Sequence, residues 1–247
     1  MKKLLIALAI CTLTFVPHIA LAETNRAQTE EIVREYLLEN PEILLEMQEV
    51  LAEREAEAEK LARANVFSTQ GNSIYNNGGD PVIGNPDGDV TIVEFFDYNC
   101  SYCRRAHSDV LELIENDNNV RIVMKEFPIL GPNSQAAHTV SLAFNSLKPE
   151  DYAEFLDKLI TSPGQANEAS AMALASTFGV EESALRAEMA KATVILQVQE
   201  TYQLAQMLGI SGTPTYVIGD EVLPGAVGSD ELAKRIQKMR ECDKTSC

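Results

Sequence analysis

FFDYNCSYCRRAH, residues 95–107, closes an apolar run, sets two cysteines two residues apart and continues into basic residues. The run that leads into it, TIVEFFDY from Thr91 to Tyr98, is almost continuously apolar, as expected of a strand in the middle of a sheet. RRAHSDVLELIEN then carries Ala106, Val110, Leu113 and Ile114 at helical spacing. Cys100 therefore falls where a strand ends and a helix begins. A helix N-terminus exposes unpaired N–H groups and the positive end of the helix dipole, so a thiolate placed there is stabilised as nucleophile and leaving group. Cys103, one turn later on the same face, is placed to attack a mixed disulfide formed on the first cysteine and release its partner.

Outward from this junction, VRIVMKEFPI (residues 120–129) reads as a second strand of mixed burial. From Gly131 to about Leu208 the pattern is helical, broken at LKPED, TSPGQAN and FGVEE, which predicts an insert of three or four helices. Thr215 to Gly225 reads as a hairpin turning at Gly219-Asp220, and Ser229 or Asp230 caps a last helix. Strand, CxxC, helix, strand, helical insert, hairpin and helix make an α/β layout of thioredoxin type. This domain is expected over residues 71–247, with its insert at about 131–208.

Upstream, residues 23–70 are expected to form a separate helical segment. Thr24, Asn25 or Thr29 offer N-caps, and Ile32, Val33, Tyr36 and Leu37 share one face. Asn40-Pro41-Glu42 punctuates, since Asn caps, Pro suits the first helical position and Glu complements the dipole. In the second helix Leu44, Met47, Leu51, Ala58, Leu61 and Asn65 keep a seven-residue register with Arg54 as the misfit. So charged a helix must pack either on its own domain or on copies of itself. STQGNSIYNNGGDP (residues 68–81) carries the turn residues of a linker or first hairpin.

Residues 1–22 combine Lys2 and Lys3, an apolar stretch too short to span a bilayer, and Ala20-Leu21-Ala22, the marks of a cleavable secretory signal. A soluble periplasmic or otherwise exported protein is expected. Cys11 would leave with the signal, so four cysteines remain in an oxidising compartment. A zinc site would need Cys242 and Cys247 as further ligands, and their five-residue spacing at the extreme end suits zinc poorly. Those two could instead pair as a structural disulfide of the tail. With no metal and no cofactor motif, the redox reading of Cys100 and Cys103 is preferred over a purely structural staple. The net charge of −17 argues against nucleic acid as a partner.

FFDYNCSYCRRAH closely resembles the active-site segment of the DsbA superfamily of thioredoxin-fold proteins, which read FxDYxCxYC, then a basic residue, then His at the position of His107. Ser211-Gly212-Thr213-Pro214-Thr215 resembles the loop in which these proteins hold a cis-proline beside the redox pair. The resemblance implies a Cys100–Cys103 redox disulfide and a substrate chain paired along the backbone of Thr213 and Pro214. It also gives Glu94 the place of a buried acid beneath the second cysteine, where burial would raise its pKa and let it exchange a proton with Cys103; on alternation alone Glu94 could equally face solvent. Arg104, Arg105 and His107 would add positive charge beyond Cys103, although an arginine on a helix is usually only solvated, and His138 would be an ordinary surface or packing residue.

All members of such a fold share the exchange chemistry, so its direction has to come from finer features. VREYLLENPEILLEMQEVL resembles the N-terminal segment of trimeric proteins related to suppressor of copper sensitivity C, where it mediates self-association. Tyr102 before the second cysteine and Thr213 before the proline resemble the choices of isomerases of the DsbC and DsbG kind, whereas Ser101 departs from the usual Pro or Gly. Together these imply a disulfide isomerase or reductase, a homo-oligomer with a trimer favoured over a dimer. Its partners would be client proteins carrying disulfides or thiols and a membrane redox protein that recycles it. Two alternatives are a monomeric oxidase, and a copper-binding or surface binding protein that uses the thiolates of Cys100 and Cys103 as soft ligands.

Overall fold

The structure, a computed structural model, describes residues 19–242 and 245, with side chains from Asn25 onward. The chain divides into two units, one ending at Glu59 and the other beginning at Lys60. Among the described residues no helix is long and apolar enough to cross a membrane.

In the first unit, α1 (Ile19–Glu39) and the start of α2 (Ile43–Tyr75) are separated at Asn40-Pro41-Glu42, where Asn40 Nδ2 donates to Tyr36 O at 2.8 Å. α1 begins upstream of Thr24, so none of the three expected caps starts it. Most large apolar residues of this unit are exposed. Leu44 is 62 %, Met47 53 % and Leu51 52 % exposed, along with Ile32, Val33 and Tyr36.

α2 does not stop near residue 67 but runs to Tyr75, replacing the expected linker or hairpin. Two causes are visible. The hydroxyls of Ser68 and Thr69 bond back to Asn65 O, which lets turn-forming residues sit inside a helix. The last turns also bury Val66 and Ile74 among Val93, Phe95, Val123, Leu208 and Val217. Their helix end is tied down by polar contacts: Lys125 Nζ donates to Ser73 O at 2.7 Å, Arg121 to Tyr75 O at 2.7 Å, and Tyr75 Oη to Gly219 O. Lys125 and Asp80 form a buried ion pair beside them. Tertiary contacts of this kind readily outweigh the weak turn preference of Gly71 and Asn72.

The second unit is a five-stranded sheet in the order β1-β3-β2-β4-β5: β1 (Val82–Gly84), β2 (Val90–Phe96), β3 (Val120–Glu126), β4 (Thr215–Ile218) and β5 (Glu221–Pro224). β2 and β3 are parallel and joined across α3 (Ser101–Asn116); the other pairs are antiparallel. β4 and β5 turn at Gly219-Asp220, with Gly219 at φ +57. α9 (Ser229–Cys242) follows. The architecture is the thioredoxin-like α/β sheet expected from the element order.

Between β3 and β4 lie five helices: α4 (Pro132–Leu147), α5 (Tyr152–Thr161), α6 (Glu168–Thr177), α7 (Glu182–Met189) and α8 (Ala192–Leu208), with a single turn of 3-10 helix at Pro149–Asp151. The three expected breaks are present, and a fourth, at Ala190-Lys191, raises the count. Both faces of the sheet are covered. Ile92 and Phe96 of β2 face the core that includes Cys103, Val110 and Phe144, while Val93 and Phe95 face the core closed by Ile74 and Leu208. β3 is consequently buried almost throughout, including Lys125 and Glu126, instead of mixed.

Candidate active site

Period-two alternation places Glu94 on the Ile92 and Phe96 face of β2, the side on which α3 lies. β2 ends at Phe96, and the turn Asp97–Asn99 delivers the chain to α3, closed by Cys100 N–H donating to Asp97 O at 3.0 Å. Cys100 is the N-cap of α3 (φ −76, ψ 117), and its Sγ accepts the Cys103 N–H at 3.4 Å. Both cysteines are free thiols. Cys100 is 7 % exposed and Cys103 fully buried, so only the first sulfur meets the outside.

The Thr213–Pro214 peptide bond is cis, and Cys100 Sγ lies 3.2 Å from Thr213 O. Gly225 N–H donates to Pro214 O at 2.8 Å and Thr215 Oγ1 to Gly212 O at 2.8 Å, which hold this loop. The Thr213 N–H has no acceptor among the described residues. The Thr213 side chain acts on the Cys103 thiol, opposing the rise in its pKa. Tyr102 projects outward, its ring 4.4 Å from the Arg105 guanidinium.

Glu94 is buried under this pair, directly across from Tyr216 of the neighbouring strand. Burial pushes its carboxyl up to about 8, with the Tyr216 side chain opposing in part. Burial pushes the Cys103 thiol well up too, aided by the charges of Glu94 and Cys100 and opposed by Asp97 backbone and the Thr213 hydroxyl. A buried thiol that must lose its proton thus sits in the field of a carboxyl able to hold one near neutrality. Glu94 is protonated in the folded chain between about 4.5 and 8, and ionised in the unfolded chain over the same range. Its contribution is therefore complete below the unfolded value and lost as pH rises through about 8. Urea unfolding at pH 5 and pH 8 should show the parent losing up to about 1.4 kcal/mol per pH unit in that window, and Glu94→Gln losing markedly less; parallel curves for the two proteins would mean Glu94 is not the group responsible.

Behind the cysteines lies a buried polar cluster that the sequence reading missed. His138, expected to be an ordinary surface or packing residue, is completely buried, with Nδ1 against Glu126 Oε2. Glu126 Oε1 also accepts from Ser141 Oγ at 2.5 Å and Tyr152 Oη at 2.8 Å, while Tyr98 Oη meets Ser141 Oγ at 2.7 Å. His138 Nε2 faces the Tyr98 backbone nitrogen at 3.2 Å and Asp97 Oδ1 at 3.8 Å. Burial alone would lower the His138 pKa, but the charges of Glu126 and Asp97 and the bond to Glu126 outweigh it and bring it to about 9. Two carboxylates around one imidazole favour the protonated ring over the neutral acceptor that the Tyr98 N–H alone would select.

Asp97 accepts Asn99 N–H, Ser134 Oγ and Leu130 N–H at 2.8, 2.8 and 3.0 Å. Asn99 pairs with both the carbonyl and the N–H of Ala166. The turn before Cys100 is thus fixed from below by α4 and from the side by the α5–α6 loop. Arg104 is not merely solvated: it donates to Tyr98 O, Ser162 O and Gly164 O. His107 is buried, with Nε2 3.0 Å from Asp157 Oδ1. Glu126 inside an apolar strand was the available sign of the cluster, since a buried acid requires donors.

Cys242 is disulfide-bonded; Cys247, its expected partner, lies outside the described residues.

A thioredoxin-like sheet with a cysteine pair at the start of its crossover helix, faced by a cis-proline loop, defines a thiol–disulfide oxidoreductase framework. Residues 91–237 match the DSBA-like thioredoxin domain, and the chain belongs to that family. Residues 26–58 match the copper resistance protein ScsC N-terminal domain. Disulfide bond formation protein D of Bacillus subtilis is 28 % identical over 174 residues, covering 65 % of this chain and 77 % of that protein. A thioredoxin-like oxidoreductase from Silicibacter pomeroyi is 39 % identical with TM-score 0.66, over 69 % of this chain and 98 % of that one. ScsC of Proteus mirabilis in a compact conformation is 28 % identical with TM-score 0.64, over 90 % of this chain and all of that one.

Proposed function

We propose that this chain is an exported protein disulfide isomerase or reductase that works as a homo-oligomer, trimeric in preference to dimeric, joined through residues 23–70. The observation that carries the exchange chemistry is the approach of Cys100 Sγ to the Thr213 carbonyl, at 3.2 Å, with Cys103 buried behind it. A client segment adds along Thr213, whose N–H has no acceptor among the described residues. The Cys100 thiolate attacks a client sulfur, the client S–S bond breaks, and one client cysteine leaves as thiolate. The thiolate returning to the mixed disulfide frees Cys100 after isomerisation, with no net electron transfer. Alternatively Cys103 attacks Cys100 Sγ, giving its proton to Glu94 in the fraction of molecules in which that carboxyl is ionised. The client then leaves with two electrons and the protein keeps a Cys100–Cys103 disulfide, which a membrane redox partner reduces again.

The isomerase direction is supported by the uncovered apolar residues of α1 and α2 and by the match of residues 26–58 to an ScsC segment. Several active sites held together raise the effective concentration of thiolate around one misfolded client. Molar mass in solution, measured for the mature protein and for a chain beginning at Lys60, should show an oligomer for the first and a monomer for the second. Refolding of a scrambled-disulfide substrate should be fast only with the oligomer. A mature monomer that cannot unscramble the substrate would leave the monomeric oxidase as the better reading.

A further inference from the structure

Beside the cis-proline loop the second unit carries a groove of about 400 Å³ whose walls include Arg63 of α2, Ile210, Thr213, Pro214, Val222 of β5 and Gly225. Arg63 is the only charged residue that lines it. Arg104, Arg121 and Arg235 are half-buried like Arg63, and each is matched by carbonyls or carboxylates. Arg63 has no such partner among the described residues. In a chain of net charge −17, a half-buried arginine with no carboxylate or carbonyl partner among the described residues thus lines a groove that shares Thr213 with the reactive cysteine.

We infer that Arg63 makes this groove select client segments bearing an acidic side chain close to the reacting cysteine. The inference rests on the exchange reading of Cys100 given above and adds the class of substrate. A client strand paired along Thr213 would send alternate side chains toward the Arg63 wall, and the planar fork of a guanidinium suits a carboxylate better than any neutral group. A partly exposed pair of this kind is worth a few-fold in rate, expressed mostly in association and weakened by salt.

The test uses the reduced mature chain and three peptides identical except for Glu, Gln or Lys two residues from a cysteine blocked as a mixed disulfide with an uncharged thiol. In each reaction the protein dithiol becomes a disulfide, the blocked S–S bond breaks, and peptide thiol and small thiol are both released. At low ionic strength the Glu peptide should react about threefold to fivefold faster than the Gln peptide, and the Lys peptide slowest. In about 1 M salt, where the Debye length is about 3 Å, the spread should collapse. Arg63→Gln should place Glu below Gln, because only the overall negative charge then acts, and Arg63→Glu should put Lys first. Lys234→Gln, which removes an exposed charge on α9, should keep the parent order. Equal rates for Glu and Gln with the parent, or loss of the preference in Lys234→Gln as much as in Arg63→Gln, would overturn the role of Arg63 while leaving exchange itself intact. Failure of all three peptides to react would remove the exchange reading and this inference with it.

Discussion

Cys100→Ala is expected to take disulfide exchange down to the uncatalysed background, and Cys103→Ala to leave first attack intact but stall its product. The two effects differ because the two sulfurs do. Cys100 caps α3, receives the Cys103 N–H and opens toward Thr213, whereas Cys103 is fully buried and cannot replace it as the attacking group. Without Cys103 the mixed disulfide on Cys100 has no internal thiol to resolve it, so client–protein adducts accumulate. Insulin reduction or scrambled-substrate refolding measures the first effect, and mass measurement of thiol-trapped adducts the second. Full activity in Cys100→Ala would refute the assignment of the nucleophile. A Cys103→Ala variant that forms no adducts would show that the client never reaches Cys100.

Glu126→Ala is expected to cost about 3–5 kcal/mol of folding stability, a large part of the roughly 5–15 kcal/mol that a domain has. The carboxylate accepts from Ser141 and Tyr152 and faces His138, all of them inside the core. Burial and the charge of Glu126 push the Tyr98 and Tyr152 hydroxyls far above their ordinary values, so they remain donors that need an acceptor. Removing Glu126 leaves these donors and the imidazole unmatched in a dry site, and each such group carries a desolvation penalty. Glu126→Gln keeps an acceptor and should lose less. The double change Glu126→Leu with His138→Leu removes both charges and should recover part of the loss. Urea denaturation of the three proteins reads this directly; a loss below about 1 kcal/mol in Glu126→Ala would mean that the cluster contributes little to the fold.

The legible parts of the molecule were those with a local cause. TIVEFFDY announced the central strand because a strand buried on both faces has no polar alternation to confuse, and a CxxC at its end fixed the place of α3. The hairpin was visible in Gly219-Asp220, where the chain needs a positive φ. What escaped depended on partners far away in the chain. The end of α2 looks like a turn until Ile74 is seen among Phe95 and Leu208. His138 looks ordinary because nothing within helical reach of it is charged; Glu126 and Asp97 come from β3 and from the turn after β2. Arg104 looks like a surface cation, and its carbonyl partners Ser162 and Gly164 belong to a loop about 60 residues further on.

The residues around the two cysteines are committed very unequally. Asp97, Tyr98 and Asn99 spend nearly every polar atom on α4, β3 or the Ala166 loop, and a change there would unsettle the core before it altered the chemistry. Ser101 and Tyr102, enclosed between the thiols, are exposed and hold nothing in place beyond the ring contact to Arg105. That dipeptide is therefore where a library of variants, or a lineage under selection, can retune the balance between dithiol and disulfide while the scaffold stays as it is.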